Sequence, residues 1–233
     1  MALTPQNNEA FLREVDEELR RDQIGNFWRR YGKWLAVLLV VGLAAFGAWL
    51  WWQNDQRQKA GLEGEQLDTA LAQLTQNQPD AAAPALEALA KSERPGYRAA
   101  AKLALADMAM AKQDLSAAAA GFRAVSEDQT LAKPYRDLAL VRQTAAEFDR
   151  LEPAVVIERL APLAKPGNPW FGSAGEMVAI AHMRANQPKQ AGELFARIGN
   201  DQAVPPTIRS RAVQMAGLLG VDAVDQTNES APK

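Results

Sequence analysis

Aromatic and arginine side chains offer the most useful chemistry in this sequence, because such groups often anchor protein–protein interfaces. Five of them occupy comparable places near predicted helix starts, and a sixth, Arg142, lies further along the second of these helices: Tyr97, Arg98, Tyr135, Arg136, Trp170 and Arg142. We interpret these six residues as the candidate lining of a protein-binding groove. Alternatively, the rings fill the space between neighbouring helices, since aromatic residues bury a large area. In that case the arginines are the better groove residues.

Catalytic or metal-binding chemistry is not indicated. The chain has no cysteine and one histidine, His182, which has no ligand set around it. No phosphate-binding loop, nucleophile elbow or zinc-binding HExxH motif occurs. With 26 basic and 28 acidic residues, the chain lacks the basic surface that nucleic-acid binding requires. We therefore expect no enzymatic activity, cofactor, small-molecule substrate or nucleic acid.

Regularly spaced helix-start signals predict the elements that position the candidate residues. One series precedes the longer apolar helices, with separations of 39, 35 and 36 residues: Pro95, Pro134, Pro169 and Pro205. A second series falls between them, with separations of 35, 39 and 35 residues: Pro79, Asp114, Pro153 and Pro188. Proline is tolerated in the first turn of a helix, and Asp caps one. A period near 35 residues is typical of stacked helical hairpins.

A small–small–large pattern is expected to close these hairpins. Two units share it with the same spacing: Ala106, Ala118 and Phe122 in one, and Ala179, Ala191 and Phe195 in the other. The unit between them departs from it, with Val156 and Leu160 in place of Ala and Phe. The pattern resembles that of tetratricopeptide repeats. The stacking implies that the first helices of the hairpins line a concave groove, where extended peptides bind.

Residues 34–52, WLAVLLVVGLAAFGAWLWW, contain no charged residue and no proline. A helix of this length spans ~28 Å, close to the ~30 Å core of a bilayer. Aromatic residues should anchor it at both membrane interfaces: Trp28, Tyr31, Trp34, Trp49, Trp51 and Trp52. A cleavable signal peptide is disfavoured by the late start and the aromatic end. A buried helix of a soluble protein is disfavoured because the stretch is apolar all round.

Basic residues are concentrated before this stretch, which predicts its orientation. Those that precede it are Arg20, Arg21, Arg29, Arg30 and Lys33. Only Arg57 and Lys59 follow it within a similar distance. A basic excess is retained in the cytoplasm. We expect a single-pass protein of the inner (cell) membrane with a cytoplasmic N-terminus and a periplasmic C-terminal domain.

Two membrane-proximal features leave their roles open. Residues 8–21 have the periodicity of a short amphipathic helix, which either docks a cytosolic partner or rests at the membrane surface. Within the apolar stretch, the small residues between Gly42 and Ala48 either admit a neighbouring helix or reflect the ordinary composition of membrane helices.

The combination resembles the ancillary SecYEG translocon subunit family, the YfgM-like proteins. The resemblance is carried by the acidic amphipathic N-terminus, the basic GKWLAV segment, the aromatic-ended span and the degenerate Ala-rich repeats. It implies Sec translocon subunits and periplasmic chaperones as partners, and a role in handling newly exported proteins. The alternative is a scaffold or assembly factor for an envelope complex, either outer-membrane insertion or cell-division machinery. Its partners would be envelope-assembly proteins.

The expected fold is all-α, with one N-terminal transmembrane helix followed by a tetratricopeptide-like solenoid of helical hairpins. We assign residues 1–33 to a cytoplasmic amphipathic segment, 34–52 to the transmembrane helix, 53–220 to the repeat domain and 221–233 to a disordered tail.

Overall fold

The computed structural model describes the backbone of residues 6–222 and the side chains of residues 29–222. The predicted anchor Trp28, the side chains of the amphipathic segment and the tail beyond residue 222 lie outside the described side chains. In the described range the regular elements are α-helices, which confirms the predicted all-α fold. They are α1 (Gln6–Thr75), α2 (Pro79–Leu89), α3 (Pro95–Ala111), α4 (Leu115–Ser126), α5 (Lys133–Glu147), α6 (Pro153–Leu160), α7 (Phe171–Arg184), α8 (Pro188–Asn200) and α9 (Pro206–Leu218).

The chain divides into two compact units, residues 1–61 and residues 62–233. In the first unit, the apolar side chains of α1 are exposed. Trp34, Trp49, Trp51 and Trp52 each expose more than half of their surface, and Tyr31 exposes 46%. An 18-residue window of this helix has a mean hydropathy of 2.1, and no part of that window is buried. By length and composition, α1 is able to cross a bilayer.

In the second unit, residues 62–75 of α1 pair with α2 in the first of four helical hairpins, and α9 follows the last. Most of the predicted helix starts are confirmed. The helices α2, α3, α6 and α8 begin at their prolines, and the carboxylate of Asp114 caps α4 by accepting the N–H of Ala117 at 2.9 Å. Pro169 is the exception, because the N–H of Trp170 donates to Asn168 Oδ1 at 2.8 Å and α7 begins only at Phe171.

Three of the four hairpin turns share the same backbone conformation at one residue. Asn77, Gln113 and Asn186 each adopt a left-handed conformation, with φ of 59°, 64° and 57°. Each residue stands two positions before the start of the second helix of its hairpin. One left-handed residue reverses the chain and ends the first helix. The turn between α5 and α6 has no left-handed residue.

The predicted closing residues are buried in both hairpins that carry the full pattern. Ala106 exposes 3% of its surface, and its partners Ala118 and Phe122 expose none. The triad of α7 and α8 is fully buried as well. In the middle hairpin, the positions at the same spacing hold Thr144, Val156 and Leu160, which are also fully buried.

Helix α5 contributes to two apolar cores. Ala139 and Ala146 pack in the core formed with α3 and α4, whereas Val141 packs in the core that contains α6, α7 and α8. Thr144 is fully buried, and its hydroxyl donates to the carbonyl of Leu140 in the same helix at 2.8 Å. The buried hydroxyl is therefore satisfied without a partner from a neighbouring helix.

Candidate protein-interaction groove

Two of the six predicted residues, Tyr97 and Tyr135, lie side by side. Both rings are half-buried and line one pocket of about 250 Å³ together with Leu67 of α1. A Cβ built on Gly64 would lie 3.1 Å from the hydroxyl oxygen of Tyr97. The tight approach of Tyr97 to α1 is therefore possible because residue 64 has no side chain. Each ring fills a gap between neighbouring first helices and still borders the pocket.

Arg98 and Arg136 hold the loops that precede their helices. Arg98 donates to the carbonyl of Ser92 at 2.7 Å and to the Thr130 hydroxyl at 2.9 Å. Arg136 donates to the Gln129 amide oxygen, and its Nε is buried without a hydrogen-bond partner in the described part of the chain. These two arginines therefore fix inter-hairpin loops at the edge where α3 and α5 begin.

Arg142 of α5 pairs with Asp107 of α3. Asp107 lines a second pocket of about 400 Å³, which also includes Leu74, Ala104 and Met108. Burial raises the pKa of Asp107 above its ordinary value, although the charge and hydrogen bond of Arg142 oppose the shift. Arg142 thus ties α5 to the rim of this pocket.

Trp170 lies apart from the two tyrosine rings. It precedes α7 and lines a third pocket, of about 370 Å³, with Val204 and Pro205 just before α9 and Ile208 in its first turn. Its neighbour Phe171 exposes 1% of its surface and belongs to the core. The sequence places Trp170 in register with the tyrosines, but the structure does not join their pockets.

The first two pockets follow one another along α1 and α3, and we call this surface the groove. Leu67 and Leu74 mark its two ends on α1, and Leu71 between them is 42% exposed. Ala100 and Ala104 line it on α3. Sequence reasoning missed these residues as groove lining, although the helical spacing of Leu67, Leu71 and Leu74 indicates an apolar face.

Polar contacts converge on the end of α5, another feature that sequence reasoning missed. Glu147 accepts hydrogen bonds from Arg123 of α4 at 2.9 Å and from Arg159 of α6 at 2.6 Å. Arg184 of α7 donates to the carbonyl of Phe148 at 2.7 Å, and its guanidinium lies 5.3 Å from the centre of the Phe148 ring. Arginines from three different helices therefore meet at this point.

The charge state of Glu147 follows from these contacts. Burial on its own would raise the pKa of Glu147. The hydrogen bond and charge of Arg159, followed by the charge of Arg123, outweigh burial and hold the pKa below its ordinary value. Glu147 is therefore a carboxylate at neutral pH.

The lone histidine is engaged locally. His182 Nδ1 lies 2.7 Å from the side-chain oxygen of Gln187, at the end of α7. Among the described residues, no group of three or more His, Cys, Asp or Glu side chains is arranged to hold a metal ion.

A stack of helical hairpins with a pocketed face on its first helices defines a helical-repeat protein, a class with extended binding surfaces. The family model described as "Tetratricopeptide repeat-like domain" matches residues 25–162, more than half of the chain. The chain belongs to this family. The matched range includes α2 to α6, and the hairpin of α7 and α8 beyond it keeps the same closing triad.

The chain is also similar to the protein named "Ancillary SecYEG translocon subunit" of Haemophilus influenzae, which confirms the resemblance to that family. The two are 26% identical over 137 residues, which cover 58% of this chain and 65% of the relative. The chain thus matches less than two thirds of that protein's length. A comparison with solved structures finds none that matches the chain.

Proposed function

We propose that this protein is a membrane-anchored protein-interaction module that is ancillary to the Sec translocon. The observation that carries the proposal is the pocketed groove on α1 and α3, in a chain similar to an ancillary translocon subunit. First helices of stacked hairpins bind peptide segments through such surfaces. The role is binding, and the chain performs no catalysis.

In this proposal α1 anchors the protein in the inner membrane as a single pass. The basic residues before the apolar stretch keep the N-terminus in the cytoplasm, so that the repeat domain faces the periplasm. Its partners are Sec translocon subunits and periplasmic chaperones, and it assists newly exported proteins. A reporter fused after Lys233 tests this orientation. Activity of a reporter that works only in the cytoplasm would overturn it.

The groove supports binding of an apolar segment. Its walls are Leu67, Leu74 and Ala100, and the Tyr97 and Tyr135 rings border one end. Burial of apolar side chains contributes roughly 25 cal/mol per Å² of area removed from water. At the other end, Lys112 belongs to the lining and Arg142 pairs with the lining residue Asp107, so these two cations are placed to steer a client.

Photocrosslinking in membranes tests the proposal. A photoreactive amino acid replaces Leu71, which is exposed on α1 between the lining residues Leu67 and Leu74, and another replaces the exposed Gln190 on α8 as a matched control. We expect crosslinks to translocon subunits or exported proteins from position 71 and not from position 190. Recovery of envelope-assembly proteins alone would favour the scaffold alternative. Equal crosslinking from both positions would exclude the groove as the binding surface.

A further inference from the structure

A pocket of about 310 Å³ lies beside the turn between α5 and α6. It shares no lining residue with the pockets of the groove. Its polar lining consists of Ser116, Arg123, Glu147 and Arg150. Its apolar wall includes Ala119 and Ala120. We call this surface the turn pocket.

The negative charge in the turn pocket is already neutralised. Oε1 of Glu147 accepts from Arg123, which also lines the pocket, and Oε2 accepts from Arg159, which lies outside the lining. Gln143 donates to Oε2 as well, at 3.3 Å. Arg123 keeps 49% of its side chain exposed while using one of its nitrogens on Glu147. Further donors of its guanidinium therefore remain available to a ligand.

Arg150 supplies an uncommitted positive charge. Its side chain is exposed and makes no hydrogen bond or ion pair with the described residues. Its acidic neighbours in sequence, Asp149 and Glu152, are exposed and do not line the pocket. Near Ser116, Asp114 Oδ1 accepts the N–H of Ala117, and Asp114 does not line the pocket. The lining therefore carries two guanidinium groups against one carboxylate, and that carboxylate is shared with a third arginine.

A carboxylate is the ligand that this charge balance favours. Guanidinium groups bind carboxylates through two parallel hydrogen bonds, and the Ser116 hydroxyl offers a further donor. One negative charge matches the single excess positive charge of the lining. A phosphate group would bring nearly two negative charges to a lining with one excess positive charge, so it matches the lining less well than a carboxylate does. The alanine wall suits the methylene groups of an acidic side chain.

We propose that the turn pocket is a second binding site, which takes the carboxylate of a glutamate or aspartate side chain on a partner protein. The inference rests on the proposed function, a protein-interaction module, and adds an acidic residue to what the partner must carry. It also places a second contact on the repeat domain outside the groove.

Methyl NMR of the full chain in detergent micelles tests the site. Alanine labelling reports on Ala119 and Ala120 in the turn pocket and on Ala100 and Ala104 in the groove. The probes are acetyl-Ala-Glu-Ala-amide and its glutamine counterpart at equal ionic strength. We expect saturable shifts at Ala119 and Ala120 with the glutamate peptide only. Arg150→Gln should weaken this binding about fivefold or more, whereas Arg197→Gln, at an exposed position of α8, should leave it unchanged.

Different results would overturn the turn pocket as a site, the carboxylate as its ligand, and the proposed function. Equal shifts with both peptides, or no saturable shift at Ala119 and Ala120, would overturn the site. Tighter binding of inorganic phosphate than of the glutamate peptide would overturn the assignment of a carboxylate ligand. Unchanged spectra elsewhere in the Arg150→Gln chain would show that the variant folds. The groove proposal does not depend on these outcomes, because crosslinking at position 71 tests it separately.

Discussion

Two hairpins of the same repeat domain are closed by different chemistry. In the hairpin of α7 and α8, the closing triad of Ala179, Ala191 and Phe195 is apolar and fully buried. In the hairpin of α5 and α6, the corresponding triad is Thr144, Val156 and Leu160. The second hairpin adds the cluster around Glu147, in which arginines of α4 and α6 meet one carboxylate.

The backbone differs in parallel with the side chains. The turn between α7 and α8 reverses at the left-handed Asn186, whereas the turn after α5 lacks such a residue. Helix α6 has 8 residues, compared with 13 in α8. A shorter helix buries less apolar area, so polar contacts carry a larger share of the packing. The comparison shows that equivalent repeat positions can stay buried while the contacts that stabilise the hairpin change from apolar to partly polar.

The largest losses of stability are expected where apolar side chains close the hairpins. Phe195→Ala removes a fully buried ring and should destabilise the repeat domain by about 3–5 kcal/mol. Leu160→Ala should cost less, about 2–4 kcal/mol, because fewer buried carbons are lost. Urea unfolding of the full chain in detergent, followed by hydrogen exchange of α8 and α6, measures both. Equal losses at the two sites would remove the contrast between the hairpins.

A smaller but specific effect is expected at the polar closure. Glu147→Gln leaves Arg123 and Arg159 without their shared carboxylate and should cost about 1–3 kcal/mol. Exchange protection should fall in α6 more than in α8. Asp80→Asn, which breaks the exposed pair with Lys112, is the control and should cost less than about 1 kcal/mol. Equal losses would mean that Glu147 is no more than a surface charge.

The pH dependence should separate Glu147 from Asp107 of the groove. The pKa of Glu147 is lowered in the folded chain, so its contribution is present above its unfolded pKa of about 4.3 and is lost as pH falls through the folded value. The pKa of Asp107 is raised, so its contribution favours the folded state in acid and is lost as pH rises through the folded value.

Measuring the free energy of unfolding from about pH 6 to about pH 3 tests the direction of these two pH dependences. The stability advantage of the natural chain over Glu147→Gln should shrink as the pH falls. Relative to Asp107→Asn, the natural chain should instead gain stability over the same range. The same sign for both variants would contradict the assigned environments of the two carboxyl groups.

The smallest effect is expected at Thr144. Its hydroxyl is satisfied within α5, so Thr144→Ala removes a satisfied group and restores the alanine of the other hairpins. Loss of packing and gain in helix propensity should nearly cancel, which leaves a change within about 1 kcal/mol. A thermal melt that shows a much larger loss would indicate that the Thr144 methyl group is needed where α5 meets its second core.

The repeat architecture was predictable because its signals are local. Prolines and Asp114 report helix starts within one turn, and the spacing of Ala118 and Phe122 reports one helix face. The start of α7 was misplaced by two residues, because the side chain of Asn168 holds the backbone of Trp170 in a turn before the helix.

The candidate binding surfaces were less predictable because their contacts are distant in sequence. The spacing of Leu67 and Leu74 indicates an apolar face, but which part of that face stays open depends on α3 and α5. Glu147 lies 24 residues from Arg123 and 12 from Arg159, and no local signal joins them. Arg98 and Arg136 remain predicted groove residues, and their hydrogen bonds to the loops before α3 and α5 depend on the fold and had no local signal.

The repeat architecture also bears on how the chain is assembled. Side-chain hydrogen bonds between neighbouring hairpins span about one repeat, such as the 36 positions from Arg184 to Phe148 and the 35 positions from Arg142 to Asp107. While the chain is being synthesised or exported, a hairpin can therefore complete its inter-hairpin contacts as soon as the next hairpin is available. Such short-range topology favours rapid folding from the N-terminal side, one hairpin after another, while the rest of the polypeptide is still being delivered.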